Sequence, residues 1–261
     1  MTIDAPGMAP IVLDLGTGLR FYGDALLATA EADDPPFQGL ALVTHLHWDH
    51  IQGLPFFVPI HRPGSSLLVC GRDDEGSLKD AFDEFMRPPF FPVRPSELGG
   101  DITFRDVNDE TFEWGRAVVT VGDVPHTGAT NGYRIEIDGV VIVYVSDHQQ
   151  PDEGHHVSDS VAKLCHEADL VIHDAQYEHH EFASKVDWGH CTVEYAVQVA
   201  AHAGAKRLAL FHHDPAHDDD TVDRMLLDAQ RHAMGTSVTE VIGAAEGLTV
   251  ALGVASPAPV V

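Results

Sequence analysis

The sequence predicts a layered α/β domain whose mixed sheets are covered by helices. Three observations carry this expectation. Strand-like apolar runs recur along the chain, helical patterns separate the later ones, and three buried runs end in side chains able to hold a metal. With 261 residues, 44% of them hydrophobic, the chain can bury a sizeable core. No linker, repeat or charge block divides it, so residues 1–261 read as one domain.

The first run, Ile11 to Leu15, leads into Gly16-Thr17-Gly18. Leu40 to Thr44 follows, then Leu67 to Cys70 and Ile102 to Val107, all read as early antiparallel strands. After Ala117 to Val121, Tyr133, Ile135 and Ile137 alternate with Arg134 and Glu136, the pattern of a half-exposed strand. Asp138-Gly139 then supplies a two-residue turn into Val140 to Val145, which is apolar on both faces. Leu170 to His173 and Leu208 to Phe211 complete the series in β-α-β-like alternation. Between these two, Thr192 caps a helix in which Val193, Ala196, Val197, Ala200 and Ala201 share one face and Gly204 ends the segment. The Ser256-Pro257-Ala258-Pro259 stretch marks an unstructured tail over about 255–261.

Fifteen Lys+Arg against 41 Asp+Glu give a net charge of -26, which favours solubility and opposes attraction of polyanions. Nucleic acid is therefore not the expected partner, and a small anionic molecule is. Eighteen histidines add little to the solubility of an acidic chain, so some of them are expected to bind something. Cys70, Cys165 and Cys191 are odd in number, widely spaced and lack a CxxC, which argues for reduced thiols rather than a disulfide framework or a thiolate zinc knot. No signal-like or membrane-spanning apolar segment is present, so a soluble cytoplasmic protein is expected, with a homodimer as the base-rate assembly.

Leu40 to Val43 leads into Thr44-His45, Val140 to Val145 into Ser146-Asp147, and Leu208 to Phe211 into His212-His213. Side chains at the carboxyl edge of several strands can converge on one point while the sheet holds them rigid. In the stretch HLHWDH, His45 and His47 lie two apart, on one face of an extended chain, and Asp49 and His50 then turn elsewhere. Four ligand-type residues in six, directly after a buried strand, are costly without a cation.

His45-Leu46-His47-Trp48-Asp49-His50 reads HxHxDH and resembles the signature of the metallo-β-lactamase-fold hydrolases. The likeness covers nearly the whole chain in motif order. LDLGTG at Leu13 to Gly18 is similar to the family's first strand and loop, where Asp14 braces the site. His126 in DVPHTG, Asp147 in VSDH and His212 in LALFHHDP match the later ligands. The resemblance implies a four-layer αββα sandwich with mixed sheets and metals at one edge. It implies one ion at His45, His47 and His126, a second at Asp49, His50 and His212, and Asp147 as the bridge. Asp49 is thus both a ligand and a catalytic residue. Imidazole and carboxylate without thiolate suit two divalent ions, with zinc the first choice and manganese or iron the alternatives. Such a pair, roughly 3.5 to 4 Å apart, generates a bridging hydroxide and so implies hydrolysis.

HDAQ at His173 to Gln176 and GHCT at Gly189 to Thr192 are similar to motifs of ribonuclease Z and related cyclic phosphodiesterases. That likeness makes His190 the group that protonates the leaving alkoxide and Asp174 the carboxylate that orients it. The remaining histidines, among them His148, His155 and His213, read as surface or supporting residues, with His148 and His213 able to exchange roles with the ligands they abut. The resemblance to ribonuclease Z also implies a basic, glycine-rich arm for tRNA. Between Asp147 and Asp174, however, the chain carries Asp152, Glu153, Asp159, Glu167 and Asp169 against Lys163 alone. A small or cyclic phosphodiester is therefore the expected substrate. The alternatives are an ester, thioester or lactone, or tRNA 3′ cleavage.

Overall fold

The computed structural model describes residues 1–31, 33–151 and 156–253. The expected tail at about 255–261, and Asp152, Glu153 and His155, lie outside the described residues. The chain forms two compact units, 1–116 with 120–133 and 117–119 with 134–261. Their boundaries fall at or within strands, so no change of composition marks them.

The first unit carries a five-stranded sheet in the order of the chain: β1 (Thr2–Ile3), β2 (Ile11–Leu13), β3 (Gln38–Leu42), β4 (Ser66–Gly71) and β5 (Asp101–Asp106). The early strands are parallel from β2 to β5, and only β1 and β2 pair antiparallel. This corrects the antiparallel expectation. The reason lies in the connections: α1 (Gly18–Thr29) joins β2 to β3, α2 (Trp48–Ile51) lies between β3 and β4, and α3 (Leu78–Phe85) joins β4 to β5. Crossovers of that length bring the chain back to the same edge, which a hairpin cannot do. Val12, Leu15, Val43, Leu54, Phe57, Val69, Phe82 and Met86 are buried in one core, each side chain contributing about 1.5 to 3 kcal/mol by leaving water.

A seven-stranded sheet follows, of order β12-β11-β10-β9-β8-β7-β6, with β6 (Thr111–Trp114), β7 (Ala117–Asp123), β8 (Asn131–Ile137), β9 (Val140–Val145), β10 (Leu170–Asp174), β11 (Arg207–Phe211) and β12 (Glu240–Gly243). In the second unit, β9 to β12 run parallel. Asp138 and Gly139 have φ 52° and 84°, the doubly left-handed turn that matches the twist of a hairpin. The helices of this unit are α4 (Asp159–Cys165), α5 (His179–Phe182), α6 (Val193–His202) and α7 (Asp219–Ala233). Thr192 caps α6 by accepting from the Tyr195 amide at 3.2 Å, and α6 packs its apolar face on β10 and β11. Its carboxyl edge, where β9, β10 and β11 end side by side, presents Asp147, Asp174 and His212.

Candidate metal centre

In the first unit the parallel register pairs Leu13 with Leu42, which sets Asp14 beside the stretch leaving β3. Asp14 takes φ 55°, a left-handed conformation that aspartate tolerates better than most residues. Its Oδ1 accepts from the Thr44 amide at 2.7 Å, and its Oδ2 lies 2.8 Å from His50 Nδ1. The bracing contact therefore fixes both the start and the end of HLHWDH. His47 lies on extended backbone with a ring nitrogen 2.9 Å from one of His45, whereas Asp49 and His50 fall on the first turn of α2. His50 is buried and Asp49 mostly exposed, with His50 Nε2 and Asp49 Oδ2 3.2 Å apart. Two glycines permit the close approach: a Cβ on Gly16 would stand 2.3 Å from the Asp49 carbonyl oxygen, and one on Gly53 2.0 Å from that of Gly16.

His126 follows β7 in a loop tied down by the Ala129 amide, which donates to Asp74 at 2.7 Å, and by the Asn131 amide, which donates to the Thr44 carbonyl at 2.9 Å. Arg72 pairs with Asp123 at the start of that loop and donates to the Thr130 carbonyl near its end. His126 thus joins His45 and His47, one nitrogen from each lying within 4.8 Å of the others.

The second unit brings Asp147 and His212 together with His190, the acid expected from the sequence. Asp147, His190 and His212 each offer one atom within 4.8 Å of the others. His212 Nε2 lies 3.5 Å from Asp147 Oδ2, and the His190 and His212 rings stack with centroids 5.0 Å apart. His212 adopts φ 57°, leaving β11 in a left-handed turn. His190 Nδ1 lies 2.8 Å from Asp174 Oδ2 and 3.7 Å from Asp147 Oδ2. Asp174 is fully buried and accepts two further hydrogen bonds, from the His148 amide on Oδ2 and the Gln176 amide on Oδ1, both at 3.0 Å.

His45, His47, His126, Asp147 and His212 are donors that fit a divalent cation. They are imidazoles and a carboxylate, and burial pushes the Cys70 and Cys165 thiols up to about 12 and Cys191 well above the ordinary thiol value.

The sequence reading named His173 only as the end of a strand-like run and the first residue of HDAQ and gave it no role of its own. It is fully buried, and burial holds its pKa below the usual histidine range. Its Nδ1 donates to the Asp174 carbonyl at 2.7 Å, so its Nε2 accepts from His148 Nδ1 at 2.9 Å. His148 is buried against Tyr195, and neither it nor His213 joins either cluster among the described residues. Its place directly after the apolar run Leu170 to Ile172, inside β10, was the signal for His173. Gln149 and Gln150 had no signal at all.

Comparison with known proteins assigns the class. The family model for the Beta-lactamase superfamily domain matches residues 11–213, and the chain belongs to that family. The ribonuclease Z of Sulfurisphaera tokodaii is 27% identical over 230 residues, 76% of this chain and 77% of that one. The metallo-β-lactamase fold protein YhfI from Bacillus subtilis superposes with a TM-score of 0.67 at 19% identity, over 93% of this chain and 86% of that one. Human tRNase Z, short form, does so with a TM-score of 0.64 at 21% identity, over 97% and 92%. The protein has the metallo-β-lactamase fold, the αββα class expected from its motifs, and is a metal-binding hydrolase.

Proposed function

We propose that the protein is a dinuclear phosphodiesterase acting on a small or cyclic phosphodiester. In this reading His45, His47 and His126 hold one divalent ion, Asp49, His50 and His212 hold the other, and Asp147 bridges. Zinc is the first choice, with manganese or iron the alternatives. When bound, the ions activate water and neutralise charge on the phosphate. The observation that carries the choice of reaction is the 2.8 Å contact between His190 and the buried Asp174. With Nδ1 donating to that carboxylate, Nε2 is the atom from which His190 would give a proton to the leaving oxygen as the P–O bond breaks. An alkoxide needs such an acid far more than a thiolate does, which favours a phosphodiester over a thioester.

Charge supports the small substrate. Proteins that grip RNA spread basic residues along the phosphate path, whereas this chain has 15 Lys+Arg against 41 Asp+Glu. Two divalent ions make a locally positive pocket inside a negative surface. The second reading, tRNA 3′ cleavage, is favoured by the similarity to ribonuclease Z. We place the activity in the cytoplasm, in keeping with three free, buried thiols. The test is a side-by-side assay of metal-loaded protein on bis(p-nitrophenyl) phosphate, cyclic nucleotides, thioesters, lactones and precursor tRNA at moderate salt. Turnover of small phosphodiesters is expected. Efficient tRNA 3′ cleavage without small-molecule activity would overturn the reading.

A further inference from the structure

His190 sits in the segment 185–192, between α5 and α6, which has no regular structure of its own beyond a turn and a bridge. Such a segment needs outside support to hold a catalytic ring still. The support comes from two glutamines that follow Asp147 closely. The Gln149 side chain donates through Nε2 to the Val186 carbonyl at 2.6 Å and to its neighbour's carbonyl, that of Gln150, at 2.8 Å. Its Oε1 accepts from the Gly189 amide at 2.8 Å. Gln150 adds its own amide, donating to the His190 carbonyl at 3.1 Å, and its Oε1, accepting from the Thr192 amide at 3.0 Å. The two glutamines therefore grip the His190 segment at Val186, Gly189, His190 and Thr192.

The Gln149 amide is orientated without ambiguity, because two carbonyls face its nitrogen and one N–H faces its oxygen. Gly189, with φ 91°, turns its amide toward that oxygen in a backbone conformation that side-chain-bearing residues rarely adopt. The same short stretch also reaches the other members of the site: it begins with Asp147, and its His148 amide donates to the Asp174 oxygen that meets His190. One run of four residues thus sets a ligand-type carboxylate, the carboxylate that orients His190, and the backbone on which His190 stands.

We propose that Gln149 is a positioning residue for His190, its amide fixing the Val186–Gly189 turn so that the imidazole meets the leaving oxygen. The proposal rests on the acid role of His190 stated above. Gln149→Met keeps length and bulk and removes all three hydrogen bonds, while Asp147, Asp174 and the Gln150 contacts stay. A displacement of about 1 Å costs roughly a hundredfold in a reaction that depends on alignment. With metal-loaded full-length protein, Gln149→Met is expected to lower kcat on an alkyl phosphodiester by about 10- to 100-fold, leave KM and metal stoichiometry unchanged, and affect a nitrophenyl ester much less. Gln149→Asn, which retains the amide on a shorter arm, should recover part of the loss. The second readout is the His190 ring resonance by NMR, expected to shift in Gln149→Met and to return toward the wild-type position in Gln149→Asn. If Gln149→Met does not fold, the Asn variant against wild type carries both measurements. Equal losses on alkyl and nitrophenyl esters, loss of metal, or an unmoved His190 resonance would overturn the proposal. Failure of the acid reading itself is distinguishable, since His190→Ala would then spare alkyl ester turnover while the resonance still moved in Gln149→Met.

Discussion

Replacing Asp174 by asparagine removes one charge and exchanges one carboxylate oxygen for an amide nitrogen. In the folded protein Oδ2 receives the His148 amide and faces His190 Nδ1, while Oδ1 receives the Gln176 amide. An asparagine has a single oxygen, so whichever way it turns, its NH2 confronts a backbone N–H. The lower-cost orientation keeps the oxygen toward His148 and His190 and leaves the Gln176 amide unsatisfied, a loss of about 1 to 3 kcal/mol for a buried donor. Thermal unfolding should shift downward by roughly 2 to 4 °C per kcal/mol for a chain of this size. The rate falls for a different reason. A hydrogen bond to a charged group is stronger than a neutral one by about 1 to 1.5 kcal/mol, so the acid loses roughly a factor of ten on alkyl phosphodiesters. The assay pairs urea or thermal unfolding with kinetics on alkyl and nitrophenyl esters of the same metal-loaded protein. Unchanged stability would refute the hydrogen-bond argument, and equal rate losses on the two esters would refute the orienting role.

His190→Ala is expected to retain its metals and to lose about 10²- to 10⁴-fold on alkyl phosphodiesters, with a smaller defect when nitrophenolate leaves, as steady-state kinetics on the two will show. Asp147→Ala should lower the metal content from two ions per chain and abolish turnover together, which elemental analysis and activity measure on one sample. Below pH 6.5, near the unfolded histidine value, the unfolded chain takes up a proton that buried His173 refuses. Its contribution to stability is therefore complete above that pH and declines as pH falls toward the lower folded-state pKa. The slope of unfolding free energy against pH should flatten in His173→Asn by up to about 1.4 kcal/mol per pH unit.

Much of the site was legible because its chemistry follows buried strands. Leu40 to Val43, Val140 to Val145 and Leu208 to Phe211 are apolar enough to declare themselves, and the polar residues just beyond them are conspicuous by contrast. Thr192 and the face it starts were readable for the same reason, since a cap and a period coincide. The rest was hidden by scale or by direction. Thr2–Ile3, Thr111–Trp114 and Glu240–Gly243 are too short to show a period. Parallel pairing of β2 to β5 depends on the helices between them, which local alternation does not reveal. Gln149 and Gln150 act through backbone groups some 40 residues away in sequence, and glutamine carries no signature for that task.

The left-handed backbone at Asp14 and His212 has a consequence for how this protein answers selection. Each residue stands at a strand end with φ near +56°, where an ordinary side chain costs about 1 to 2 kcal/mol and glycine costs almost nothing. Backbone preference alone would favour glycine at both places. Retaining aspartate and histidine there trades thermal margin for the Asp14 brace on Thr44 and His50 and for the His212 ring beside Asp147. Glycine in place of Asp14 would relieve the backbone and at once strand the buried Thr44 amide, so there the strain and the hydrogen bonds that hold it are inseparable.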